Sequence, residues 1–313
     1  MDTSVNTRRI RYLYETAVAG SLRAAADKMD MNPSVVSRQI AKLEEELQVV
    51  VLERHGRKVM LTEAGHMLVE HYRQQSAAQD DLAAKLHELR GLGRGHIDLV
   101  VGEGFLSDLM GKPLQDFWRQ YPGLSISIQL AGTNEVIRRI AQDEAHIGLV
   151  YNPPTAPGVR SRAGVRQPMC AITPLGHPLA RLKRPLQFKQ LAEYPVALMQ
   201  AAFGARQLVQ LAEHMERARL APKMVTDSIS AITHFVRGGL GVSLLPAFAV
   251  SEEIAARELL AIPIDQAVLA GAEAHIVTRL GRQLPRASNQ LLLHLPAAMQ
   301  AFDAGKRVPR RVR

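Results

Sequence analysis

Ser34, Ser37, Arg38 and Lys42 fall within nine residues at spacings that a helix gathers near or on one outer face. Hydroxyl, guanidinium and ammonium groups are the types that bond phosphate oxygens and base edges of a nucleic-acid duplex. Just downstream, Arg54, Arg57 and Lys58 surround Gly56 in a short basic turn, RHGRK, within reach of a flanking phosphate. A second group of candidates follows strand-like runs further along. Glu103, Gly104 and Phe105 follow one such run, Thr133 and Asn134 open a helix, and Phe203 and Arg206 follow another run. Arg206 offers a permanently charged, forked partner for a carboxylate. These positions suit capture of a small molecule, because helix starts beyond strand ends present unpaired N–H groups.

The elements that must position the first group are legible. Ile10, Leu13, Tyr14 and Ala17 mark one face of a first helix, broken at Gly20 and Ser21. Ser21 suits the N-cap of a second helix, whose Ala24, Ala25 and Ala26 admit a close neighbour, with Leu22 and Met29 as further core contacts. Asn32 followed by Pro33 is a strong helix start. In the third helix Val36, Ile40, Leu43 and Leu47 turn inward, which leaves the polar residues outside. Helix, short turn and helix match a helix-turn-helix. Val49 to Leu52 then reads as a strand, 54–58 as a turn and Lys58 to Leu61 as its return, a basic wing. From Thr62 a long helix runs to about Arg90. Leu68, Tyr72, Gln75, Gln79, Leu82, Leu86 and Leu89 form a narrow stripe suited to a two-helix seam. Gly91, Gly93 and Gly95 follow as a joint.

Beyond the joint, strands and helices alternate: a strand at Ile97 to Val101, a helix at Leu106 to Tyr121, a strand at Leu124 to Leu130, a helix at Val136 to Ala145 and a strand at Ile147 to Tyr151. This order predicts a largely parallel sheet covered by helices. A second set occupies roughly 166 to 265, and 272 to 302 reads as a returning strand and terminal helix. Ile229 to Val236 with Gly238, Gly239 and Gly241 reads as a helix end and tight turn into the strand Val242 to Leu245. A ligand then belongs between two α/β lobes, at strand carboxyl ends.

Bulk properties exclude more than they assign. Apolar residues make up 47% of the 313, enough for large cores. No run approaches a membrane span, and MDTSVNTRRIR is not a signal peptide, so a cytoplasmic protein is expected. The lone Cys170 sits in an apolar run, as a buried structural thiol does. The net charge of +9 is a poor guide to nucleic acid: residues 1–90 carry 13 basic and 13 acidic side chains, and the tail from Lys306 to Arg313 alone adds five basic ones. GEGFLS at Gly102 to Ser107 imitates a dinucleotide loop but lacks its third glycine and the acidic residue after the next strand. There is no G-x-S-x-G and no H-E-x-x-H. No enzyme, cofactor or metal site is expected. The competing reading is a nucleotide- or solute-binding α/β protein, an enzyme or transport-related binding protein without a DNA role.

SRQIAKLEEEL, the following ER, and LTEAG at Leu61 to Gly65 resemble the N-terminal domain of the LysR-type transcriptional regulators. YPGLSISIQLAG, the Cys170-to-Ala180 segment with HPLA, and RGGLGVSLLP resemble landmarks of that family's effector domain, so the likeness spans the chain. It implies an α/β protein with an N-terminal winged helix-turn-helix over 1–62, a long linker and dimerisation helix over 63–92, and a two-lobe, periplasmic-binding-protein-like (type II) effector domain over 93–304. Lobe I would take about 93–164 and 267–304, lobe II about 165–266, and 305–313 a basic tail. The implied partners are double-stranded DNA, a small-molecule effector and further copies of the chain, as a homodimer or homotetramer. Thr133 and the loops at 102–105 and 199–206 match effector-contacting positions. The chain departs from the family at Pro33, where many members use a glutamine at the DNA, and at Gln48, where a glycine usually ends the third helix. It departs again at Leu52, a customary phenylalanine, and at His146, a customary aspartate whose replacement reads as a structural histidine.

Overall fold

Side-chain caps set the starts of the N-terminal helices. Asn6 accepts from Arg8 N–H to open α1 (Thr7–Ala19), and Ser21 accepts from Ala24 N–H to open α2 (Leu22–Lys28). Asn32 accepts from Ser34 N–H at 3.0 Å, with Pro33 first in α3 (Pro33–Leu47). The turn between α2 and α3 places Asp30 at φ 52°, a conformation Asp tolerates better than most residues. The computed structural model describes residues 6–55, 58–89, 95–182 and 184–303. It divides into two units, Met1–Ala83 and Ala84–Arg313.

The first unit has its own core. Ile10, Leu13, Ala26, Val36, Ile40 and Leu43 are buried, with Val51 and Val69 completing it. Ala25 is also buried, whereas Ala24 is exposed. The hairpin is shorter and later than expected: β1 is Leu52–His55 and β2 is Lys58–Leu61, paired antiparallel. Val49 and Val50 lie outside it, exposed, because Glu44 Oε1 accepts Val51 N–H at 2.8 Å and holds the chain against α3 before pairing begins. Gly65 permits this crossing, since a Cβ there would lie 2.2 Å from the Val51 carbonyl oxygen.

Thr62 Oγ1 accepts Gly65 N–H in the first turn of α4 (Glu63–Leu89). The expected stripe is split between two tasks. Tyr72 lies against Tyr14 of α1 with ring centroids 5.2 Å apart, Thr7 donates to Gln75 at 3.2 Å, and Leu68 packs on the first unit's core. Those residues are therefore used within their own chain. Gln79 and Leu82 stay exposed, and the side chains of Leu86 and Leu89 lie outside the described residues.

In the second unit β3 (Gly95–Val101) leads to the short α5 (Leu106–Met110) and to α6 (Lys112–Gln120). The single helix expected over 106–121 is broken because Gly111 turns the chain and Pro113 has no N–H to continue the ladder. β4 (Leu124–Leu130), α7 (Thr133–Ala141), β5 (Ile147–Tyr151) and β6 (Val159–Arg166) complete most of lobe I. α7 starts and stops earlier than expected, and Asp143 at φ 62° marks its end. Lobe II holds β7 (Met169–Pro174), β8 (Val196–Met199), α8 (Gly204–Glu216), β9 (Pro222–Thr226) and α9 (Ile229–Arg237). It ends with β10 (Val242–Pro246), α10 (Ser251–Ala255) and β11 (Leu259–Pro263). After α11 (Ala267–Ala270) the chain returns to lobe I with β12 (Glu273–Arg279) and α12 (Arg286–Ala298).

The two five-stranded sheets, β4-β3-β5-β12-β6 and β11-β7-β10-β8-β9, are mixed rather than largely parallel. β12 runs antiparallel to both its neighbours, as does β7. Each is the strand that arrives from the other lobe, so it starts where its neighbours end. The remaining contacts of β3 and β8 are parallel, as β–α–β order requires.

Candidate functional site

The outer face of α3 is built as its sequence suggests. Val36, Ile40 and Leu43 are at most 3% exposed, and this anchors the helix so firmly that Ser34, Arg38 and Lys42 must face outward, all exposed. Ser37 is half-buried at the edge of that face. Ser34 Oγ donates to the capping Asn32 at 2.8 Å, which restricts its rotamer while the residue stays exposed. Arg54 and Lys58 occupy β1 and β2, with side chains outside the described residues, and Arg57 also lies outside them.

The second group of candidates converges only in part. A cavity of about 40 Å³ lies between the lobes. One water needs roughly 10–15 Å³, so this space takes a few waters or a small head group. Its walls come from carboxyl ends of strands in both lobes. From lobe I come Glu103, Gly104 and Phe105 after β3, Thr133 at the start of α7, and Tyr151 at the end of β5. From lobe II come Met199 at the end of β8, Phe203 and Gly204 at the start of α8, and Ile229 at the start of α9. Leu245 and Phe248, at and beyond the end of β10, close the wall.

Asn134 and Arg206 do not line it. Asn134 is exposed one residue past the helix start. Arg206 turns along α8 to Glu213, 3.0 Å away, with the two side chains only 15% and 12% exposed. Glu213 also accepts Leu220 N–H at 2.9 Å, so the pair fastens the end of α8 to the following loop. A first-turn arginine with an acidic residue seven positions on finds that partner before any ligand.

Three helix starts meet at the cavity, and each commits its leading N–H to the opposite lobe. Thr133 N–H of α7 donates to the Ala202 carbonyl at 2.8 Å. Gly204 N–H of α8 donates to Thr133 Oγ1 at 2.7 Å. Ile229 N–H of α9 donates to Glu103 Oε1 at 2.8 Å. Two of these contacts demand bare backbone: a Cβ on Gly204 would lie 2.1 Å from the Tyr151 carbonyl, and one on Gly132 would lie 2.6 Å from that of Ala202. Burial raises the Glu103 carboxyl above its ordinary range; the Ile229 N–H acts the other way, and Asp227 adds to the rise. Its second oxygen, Oε2, is buried without a hydrogen-bond partner.

This geometry removes the dinucleotide reading. β3 is followed by a carboxylate, where a phosphate would need a bare cradle, and α5 behind it is five residues long. Among the described residues, no cluster of three or more His, Cys, Asp or Glu is placed to hold a metal ion, and no helix is long and apolar enough to cross a membrane. Cys170 is buried, and burial pushes its thiol up to about 12. His146 Nδ1 accepts Asp98 N–H at 2.8 Å, while His146 N–H donates to the Asp98 carbonyl at 2.9 Å. Burial first, then the Arg282 charge, push this imidazole down to about 4, against the smaller opposing effect of Asp98.

Sequence reasoning placed Met199 at the edge of the 199–206 loop but missed Tyr151, Ile229, Leu245 and Phe248, ordinary core types in strands, at a helix start and in a turn beyond a strand. Only the position of RGGLGVSLLP, ending at Pro246, pointed toward one of these walls.

Residues 7–66 match the family model described as bacterial regulatory helix-turn-helix protein, lysR family, and residues 90–300 match the LysR substrate binding domain. The chain is 28% identical over 240 residues to the HTH-type transcriptional activator CmpR of Synechocystis sp., covering 76% of this chain and 77% of that protein. In fold it resembles a full-length OxyR variant from Pseudomonas aeruginosa, with a TM-score of 0.62 and 19% identity, covering 96% of this chain and 100% of that one. It also resembles the regulatory domain of CcmR from Synechocystis in complex with 2-PG, with a TM-score of 0.58 and 23% identity, covering 66% of this chain and 98% of that one.

Proposed function

Because the chain belongs to the LysR family of DNA-binding transcriptional regulators, we propose that it reads duplex DNA through Ser34, Ser37, Arg38 and Lys42 and responds to a small molecule held between its lobes. One observation carries the DNA half: a polar face on α3 backed by a fully buried apolar one. Such a helix lies in the major groove while its neighbours support it. Arg54, Arg57 and Lys58 on the wing supply flanking phosphate contacts.

A second copy of the chain would set the spacing between two such helices. We assign the seam to the part of α4 not used by the first unit, where Ala78, Gln79 and Leu82 are exposed. The effector half rests on the three hydrogen bonds that tie the lobes across the cavity. An effector larger than a few atoms must alter the fit between lobes, and it biases regulation only by favouring one arrangement over the other.

Arg38→Ala tests the reading. On a duplex selected in vitro from random sequence, affinity measured by fluorescence anisotropy should fall about 5- to 150-fold, the effect of one good contact of roughly 1–3 kcal/mol. Unchanged affinity across a salt series would remove α3 from the DNA.

A further inference from the structure

We propose that the effector carries a cationic head, a protonated amine or a group of like chemistry, which seats against Oε2 of Glu103. This deepens the effector-site reading above and rests on it. Among the described residues, Glu103 is the one charged side chain in the cavity wall, and no Lys, Arg or His lines it. Oε1 is already taken by Ile229 N–H, and Oε2 is buried with nothing to accept from, so a ligand group reaches it only as the cavity wall shifts to admit one. A buried carboxylate oxygen without a donor is costly, and a ligand N–H⁺ supplies what it lacks.

The surroundings favour the same charge. Phe105, Tyr151, Phe203 and Phe248 contribute aromatic rings to the lining. Ring faces attract cations, and a carboxylate among aromatic rings is a recurring design for amines. Anions meet the opposite situation. The first N–H groups of α7, α8 and α9 are taken by Ala202, Thr133 and Glu103, so each helix start has one donor fewer to offer an anion. Asp227, near Glu103, adds further negative charge. Arg206, which would have favoured a carboxylate, is committed to Glu213.

Thermal shift and calorimetric titration of the full chain with matched probes decide the matter. The cations are n-butylammonium and benzylammonium chloride, and the anions are sodium butyrate and benzoate, all at constant ionic strength. Wild-type protein should be stabilised by the amines and not by the carboxylates. Glu103→Gln keeps an acceptor for Ile229 N–H but loses the charge, so its affinity for the amines should fall at least tenfold. Glu103→Asp should fall between the two. Three results would overturn the assignment: carboxylates binding where amines do not, equal amine affinity in Glu103→Gln, or no amine binding to wild type. Tighter carboxylate binding by Glu103→Gln would show instead that Glu103 occupies an anion's place. DNA binding by unliganded wild-type protein, recorded in parallel, tests the regulator reading separately.

Discussion

At the residue scale, His146 shows how one exchange is absorbed by its surroundings. Its Nδ1 is an acceptor for Asp98 N–H, so a proton on that nitrogen would cancel the bond that holds the ring. The folded-state value of about 4 lies below the ordinary 6.5. A depressed value contributes stability that is present above pH 6.5 and is lost as pH falls toward 4. Each tenfold drop in proton affinity corresponds to about 1.4 kcal/mol, so a loss on the order of 2–3 kcal/mol is expected over that window. Denaturant melts at stepped pH should show this loss in the wild type and not in His146→Asn. The residue was visible as an oddity at the head of β5, but its neutrality was not, because Arg282 lies 136 positions away in sequence. Arg206 meets the same limit. Its charge and place after a strand were legible, but its turn toward Glu213 was settled by packing at the end of α8.

At the element scale, capping chemistry made helix starts the most legible feature: Ser21, Asn32 and Thr62 all act where their types and neighbours suggested. Strand starts were harder, because an apolar run such as Val49 to Leu52 does not reveal that a glutamate eight residues before its end holds part of it out of the sheet. In α4, periodicity identified a stripe but not its partner, since a seam with another chain and a face on one's own chain require the same spacing. The structure divides that stripe, and the division is testable. Leu82 is 57% exposed, so Leu82→Glu should weaken self-association at least tenfold in sedimentation equilibrium while leaving the melting of the first unit unchanged. Tyr72→Ala should do the reverse in kind, destabilising the first unit through the lost contact with Tyr14.

At the scale of the whole molecule, two units with separate cores should respond separately to substitution. Gln48 ends α3 at φ 53°, a conformation that costs a non-glycine residue roughly 1 kcal/mol. Gln48→Gly should therefore raise the transition of the first unit by about 4–8 °C in scanning calorimetry and leave that of the second in place. A joint rise of both would mean that they melt as one. The order of elements across both units was readable because β–α–β alternation and the returning strand leave few topologies. The cavity was only half readable, because strands far apart in sequence supply its walls. Where the lobes touch, at Gly132, Gly204 and the carbonyls of Tyr151 and Ala202, the fit is main chain against main chain. The latch is thus separable from most of what it encloses, although Thr133 Oγ1 and Glu103 Oε1 belong both to the clasp and to the cavity wall. Met199, Phe203 or Ile229 can be exchanged to suit a different guest without recutting the clasp, which makes this scaffold a natural starting point for retargeted biosensors.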